Sequence, residues 1–183
     1  MGMTVANNHD LASKIERIEL LVLDVDGVLT DGLIAVDDHG VETKHFYVRD
    51  GAGIKIWREA GLKVAILSGR SARCVDVRAK ELEISPVIQG SRDKGRDFLA
   101  IAAGFGLRAD QACHVGDDLV DLPAFALAGL SACPSDAAAE VRDGVDLVTR
   151  APGGRGAVRE VVEWIMRGQG RWESAVASFA ANG

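Results

Sequence analysis

The run Leu20-Leu21-Val22-Leu23 passes directly into Asp24-Val25-Asp26-Gly27, and that junction limits the chain to few architectures. Four consecutive apolar residues suit a strand buried on both faces, the strand type of a parallel sheet covered by helices. Five further runs share the pattern: Val64–Leu67, Pro86–Ile88, Ala112–Val115, Leu130–Cys133 and Asp146–Val148. Helical patterns fill the gaps, over Ile54–Glu59, Ala72–Leu82, Lys94–Phe105, Leu119–Ala128, Ala137–Val141 and Ala157–Met166. Strand and helix therefore alternate, which predicts an α/β fold, a Rossmann-like parallel sheet flanked by helices.

The stretch from Gly32 to Val48 breaks the alternation, because two β-like runs flank Asp37-Asp38-His39-Gly40. It reads as a β-hairpin. No repeat, low-complexity tract or Pro/Ser-rich linker divides the 183 residues, so one domain over 1–183 is expected. Its core spans about 18–167, and 168–183, without strong core periodicity, is expected as a mobile C-terminal tail.

Alternate side chains of an extended segment share a face, so Asp24 and Asp26 project together at the carboxyl end of their strand, where parallel sheets bind ligands. Two carboxylates so placed need a cation, a shared proton or strong hydrogen bonding. After Ala112–Val115, Gly116-Asp117-Asp118-Leu119-Val120-Asp121 brings three more acids to a second strand end. These are hard oxygen ligands suited to Mg²⁺ and poorly suited to zinc. Ser68-Gly69-Arg70 follows one candidate strand and Asp93-Lys94 another. A hydroxyl, turn N–H groups and an ammonium suit a phosphoryl group. The Arg70 fork suits a substrate carboxylate, or is a plain surface cation.

Composition narrows the partners. A formal net charge of −6 repels nucleic acid and anionic membranes, so the chain is expected to bind neither. No apolar run approaches the ~20 residues that span a bilayer, and no basic, apolar leader opens the chain, so a cytoplasmic location is expected. The three cysteines, Cys74, Cys113 and Cys133, lack disulfide or metal-site spacing and read as reduced thiols. His114, inside an apolar strand, reads as packing.

Asp-x-Asp, a serine, a lysine and Gly-Asp-Asp-x-x-Asp thus arrive in order. That order resembles the four motifs of the haloacid dehalogenase-like (HAD-like) phosphotransferase superfamily. Longer segments, Asp24-Val-Asp-Gly-Val-Leu-Thr-Asp-Gly32, Arg49-Asp-Gly-Ala-Gly-Ile54, Gln89-Gly90, Gly116-Asp-Asp-Leu-Val-Asp-Leu-Pro123 and Gly153-Gly-Arg-Gly-Ala-Val-Arg-Glu160, are similar to the capless family of 3-deoxy-D-manno-octulosonate 8-phosphate phosphatases. The resemblance runs from about Leu20 to Arg167.

It implies a phosphoric monoester hydrolase with Asp24 as nucleophile, through an aspartyl-phosphate, and Asp26 as general acid and base. Mg²⁺ would be held by Asp24, Asp26 (through its backbone carbonyl) and Asp117, phosphate by Ser68, Gly69 and Lys94, and the sugar acid by Thr30 and Arg70. The hairpin takes the place of a cap domain. In the family hairpins assemble a homotetramer, the C-terminal tail closes a neighbour's site, and the reaction serves lipopolysaccharide biosynthesis. Asp118 and Asp121 read as helix caps, as holders of Lys94 or as supports of metal-bound water. Asp50 reads as the N-cap of its own helix, and Gly153–Gly156 as an anion-binding turn or an ordinary one. Rival readings are a phosphatase for a related nine-carbon sugar-acid phosphate and a non-enzymatic phospho-accepting module.

Overall fold

The computed structural model describes residues 8–181 and the side chains of 10–178. In chain order the elements are α1 (Asn8–Arg17), β1 (Leu20–Leu23), β2 (Ala35–Val36), β3 (Glu42–Thr43), α2 (Val48–Glu59), β4 (Lys63–Leu67), α3 (Arg73–Glu81), β5 (Val87–Ile88), α4 (Lys94–Gly104), β6 (Ala112–Val115), α5 (Leu122–Phe125), β7 (Leu130–Cys133), α6 (Ala139–Gly144), β8 (Leu147–Val148), α7 (Ala157–Gly168) and α8 (Trp172–Ala181).

Six strands form one all-parallel sheet in the order β5-β4-β1-β6-β7-β8. All four residues of β1 are buried, and their alternation shows why the run is uninterrupted. Leu21 and Leu23 enter one core with Ile54, Trp57, Val158 and Val161 of α2 and α7. Leu20 and Val22 enter a second core with Phe98 and Ile101 of α4 and Ala124 of α5. Each fully buried aliphatic chain contributes about 2 kcal/mol relative to exposure. β1 lies centrally: the chain runs outward through β4 and β5, then returns to β6 on the other side. That reversal is a topological switch point, and ligands bind beyond its carboxyl edge.

The hairpin is present. β2 and β3 pair antiparallel, with Ala35 opposite Thr43 and Val36 opposite Glu42, and stand apart from the main sheet. Its turn is held by Asp37, whose Oδ1 accepts from His39 N (2.9 Å) and Val41 N (2.8 Å).

Three segments depart from expectation. The helix expected over Leu119–Ala128 is split into a 3₁₀ turn at Leu119–Asp121 and the short α5. The reason is Asp121, whose side chain turns back to accept from Asp117 N and Asp118 N, while Pro123 opens the next helix. Helix α1 was not anticipated, although Leu11, Ile15 and Ile18 have the spacing of one helical face and pack on the core. The expected tail is helical from Trp172 to Ala181. Trp172 is only 5% exposed, and the guanidinium carbons of Arg159 and Arg167 lie 4.7 and 5.4 Å from its ring centroid. A buried aromatic gripped by two cations anchors this segment.

Candidate active site

The carboxyl ends of β1, β4, β5 and β6 deliver the acids, hydroxyl and lysine to one cleft of about 220 Å³, lined by Asp24, Asp26, Gly32, Ser68, Gly69, Arg70, Lys94, Asp117, Asp118 and Val120. Asp24 is fixed twice: Oδ1 accepts from Val25 N (2.7 Å) and Oδ2 from Lys94 Nζ (2.6 Å). Burial raises the Asp24 carboxyl above its usual range, and the Lys94 ammonium only partly offsets this. Lys94 reaches across to Asp121 Oδ1 as well, at 2.6 Å. Burial alone would lower its pKa, but the charges of Asp24 and Asp121 outweigh that and keep it protonated.

Asp121 is fully buried. Its Oδ1 meets Lys94 and, at 2.7 Å, His114 Nε2, and its Oδ2 receives the Asp117 and Asp118 amides at 3.2 and 3.3 Å. Burial would raise this carboxyl, yet His114 and Lys94 hold it at about 2. Two of the open readings of Asp121 are observed together: it holds Lys94, and it closes a capping box on the 3₁₀ turn by accepting from Asp118 N. Asp118 caps the 3₁₀ turn, accepting from Leu119 N at 2.8 Å. His114 is packed as expected, between Phe98 and Phe125, but packing is not its whole role.

Asp24, Asp117 and Asp121 each offer an oxygen within 4.8 Å of the others. Each Asp121 oxygen already takes two hydrogen bonds, whereas each Asp24 oxygen takes one, so Asp24 and Asp117 are the pair that could hold a metal. Burial, then the charges of Asp24 and Asp121, raise the Asp117 carboxyl to about 7. An all-oxygen pair short of positive charge fits Mg²⁺, which takes one or two carboxylates and keeps water on its other positions. Gly27 makes the approach possible: at φ +80°, a Cβ there would lie 1.9 Å from Asp117 Oδ2.

The Asp26 side chain does not belong to this acidic trio. Its Oδ1 accepts from Lys44 Nζ, and its Oδ2 is buried without a hydrogen bond, with Arg70 Nε 3.5 Å away. A metal role for Asp26 therefore rests on its backbone carbonyl alone. Lys44, just past β3, also meets Glu42 Oε1 at 2.7 Å. Burial would lower the Lys44 pKa, but Asp26 and Glu42 raise it overall. Sequence reasoning missed Lys44. The available signal was the Glu42-Thr43-Lys44 spacing, which puts both charges on one face of an extended segment.

Thr30, expected to contact substrate, is 1% exposed. Its hydroxyl donates to Val25 O (3.3 Å), lies 3.5 Å from Asp26 Oδ1 and accepts from Gly32 N (3.3 Å), so it braces the loop after β1 from inside. Ser68 is buried at the cleft floor, where its Oγ accepts from Arg70 N at 3.4 Å. Arg70 is half-exposed at the rim, and its Nη2 meets Glu42 Oε2 at 3.1 Å.

Asp50 does not cap its own helix, whose N-cap is Tyr47. It caps α7, accepting from Gly156 N (3.1 Å) and Arg159 N (2.8 Å). The N-terminus of α7 is thereby taken, which excludes the anion-binding reading of Gly153–Gly156. Those glycines instead press on the loop after β1: Gly154 N donates to Val28 O at 2.9 Å, and a Cβ on Gly154, whose φ is +63°, would lie 2.4 Å from Thr30 C.

Residues 41–129 match the haloacid dehalogenase-like hydrolase family. The chain is 42% identical over 166 residues to 3-deoxy-D-manno-octulosonate 8-phosphate phosphatase KdsC of Escherichia coli, covering 91% of this chain and 88% of that protein. It is 40% identical over 161 residues to KdsC of Haemophilus influenzae, covering 88% and 89%. The chain belongs to the KdsC phosphatase family. A solved family member, 3-deoxy-D-manno-octulosonate 8-phosphate phosphatase of Moraxella catarrhalis in complex with magnesium ion, phosphate ion and KDO, superposes with a TM-score of 0.90 at 39% identity, over 94% of this chain and 99% of that one. Family membership and the Asp24–Asp117 pair agree on magnesium.

Proposed function

We propose that the chain hydrolyses 3-deoxy-D-manno-octulosonate 8-phosphate to the free sugar acid and phosphate, through an aspartyl-phosphate on Asp24. The observation that carries this reading is Asp24 held by Lys94 at 2.6 Å beside the Asp117 carboxylate. Nucleophile, phosphate-neutralising cation and metal pair then share one cleft with Asp26, the acid this reading needs.

Magnesium bound by Asp24 and Asp117 supplies the positive charge that lets a carboxylate approach a phosphate. An Asp24 oxygen bonds to phosphorus as the bond from phosphorus to the sugar oxygen breaks. Asp26 delivers a proton to that oxygen. In the second half Asp26 takes a proton from the water that attacks phosphorus, releasing phosphate and restoring Asp24. Lys94, Ser68 and the Gly69 turn hold the non-transferring oxygens. Arg70, at the rim, presents its fork to the substrate carboxylate.

We further take the chain as one phosphatase domain acting in lipopolysaccharide biosynthesis in the cytoplasm, as a homotetramer. Assembly through the hairpin is supported by its solvent-facing Leu33, Ile34, Val36 and Val41, 49–73% exposed. Among the described residues no helix is long and apolar enough to cross a membrane.

The test is phosphate release across a panel: the eight-carbon substrate, its nine-carbon analogues and simple phosphate esters, each with Mg²⁺. Preference for the eight-carbon ester, abolished by Asp24→Asn, is expected. Preference for a nine-carbon ester would reassign the substrate, and no turnover of any ester would sink the enzyme reading.

A further inference from the structure

His114 is fully buried and takes no direct part in the reaction set out above, yet it touches that machinery. Its Nε2 lies 2.7 Å from Asp121 Oδ1, the same oxygen that receives Lys94 Nζ at 2.6 Å. Lys94 in turn holds Asp24. Its other ring nitrogen, Nδ1, is buried without a partner, and the ring is wedged between Phe98, with centroids 5.9 Å apart and planes at 74°, and Phe125, 5.0 Å away.

We infer that His114 is a positioning residue for Lys94: by donating from Nε2 to Asp121 Oδ1 it fixes the carboxylate that aims the Lys94 ammonium at Asp24, and keeps that carboxylate off the metal.

The tautomer follows from the surroundings. Asp121 is an acceptor, so Nε2 must carry a proton. Nδ1 faces no partner, so the Nε2 bond to Asp121 is the hydrogen bond that orients the ring, and the two phenyl rings leave its plane little freedom. Asp121 then has every strong bond it can accommodate: His114 and Lys94 on Oδ1, two backbone amides on Oδ2. Without His114, Oδ1 would depend on Lys94 alone. The carboxylate could then swing toward Asp24 and Asp117, which lie within the same 4.8 Å cluster, and Lys94 would lose its second anchor.

This inference rests on the phosphatase reading, and a double-mutant cycle separates the two. His114→Phe keeps the ring volume and removes the donor, and is expected to lower kcat about tenfold, while in a Lys94→Ala background the same change should cost no more than about twofold. Equal fold-losses in the two backgrounds would show that His114 only packs. A metal-free readout accompanies the cycle: orthophosphate binding to the protein in chelator, by calorimetry, should weaken several-fold in His114→Phe, and the double variant should bind no more weakly than Lys94→Ala alone. Unchanged orthophosphate affinity in His114→Phe would also overturn the role. If His114→Phe does not fold, His114→Gln and His114→Asn replace it. The Gln amide can reach Asp121 and the shorter Asn amide cannot, so kcat should be retained in the first and lost in the second, and equal kcat would refute the inference. A wild-type protein that turned over no phosphate ester would instead remove the phosphatase reading, leaving the orthophosphate comparison to judge His114 by itself.

Discussion

Lys44 donates to Asp26 Oδ1 from the hairpin, 18 residues further along the chain, and its side chain is 1% exposed. The proposed acid and base is thus gripped by the element that stands where a cap domain would be.

Lys44→Met should therefore loosen Asp26 and leave the half-exposed Arg70 guanidinium to bridge it to Glu42 in place of the buried ammonium. We expect kcat to fall on the order of tenfold for alkyl phosphates, whose leaving oxygen needs a proton, and much less for aryl phosphates, whose leaving groups are already acidic. Steady-state kinetics with both ester classes measures this, and equal losses would disconnect Lys44 from proton transfer.

Asp117 gives a pH dependence with a defined sign. Its carboxyl sits at about 7 in the folded protein, well above its ordinary 3.8, so between these values the folded state holds the proton more tightly than the unfolded chain. Stability conferred by that proton is complete below about pH 4 and is lost as pH rises through 7. In chelator, the wild type should lose more stability than Asp117→Asn between pH 4 and 7, and Mg²⁺ should cancel the difference at neutral pH. Denaturant melts at several pH values read it directly; parallel curves for the two proteins would contradict the crowding of Asp24, Asp117 and Asp121.

Asp50→Ala would leave the Gly156 and Arg159 amides without their acceptor at the start of α7. A loss of about 2 kcal/mol is expected from removing a buried cap, with kcat changed little because no Asp50 atom lines the cleft. Chemical denaturation paired with kinetics tests both halves.

Trp172→Ala should lower stability by about 3 kcal/mol, the usual scale for a buried aromatic truncated to alanine. A melting temperature equal to wild type would restore the reading of this segment as a loose tail.

The strands β1, β6 and β7 were legible because each is a short apolar run buried on both faces, and they occupy the runs read from sequence. The convergence of Asp24, Ser68, Lys94 and Asp117 was also legible, since parallel strands bring their carboxyl ends to one edge. What escaped were roles set by partners far along the chain. Asp50 next to Gly51 looks like a local cap, and nothing nearby announces that its acceptor oxygens serve amides 106 and 109 residues later. Thr30 sits in a motif loop, but only the folded loop shows its hydroxyl facing inward. His114 lies in an apolar run whose second face is lined by Phe98, Phe125 and Asp121, and no periodicity reveals that one of these is charged.

The loop that carries Asp26 rests on Gly154, whose amide donates to Val28 O at 2.9 Å. During synthesis the amino-terminal strand leaves the ribosome first, yet its turn gains this buttress only when the chain has been made past residue 154. The order of manufacture and the order of assembly are opposed, so a nascent or prematurely terminated chain would hold the nucleophile and its acid partner without the floor that aligns them, and phosphatase competence would emerge late and all at once.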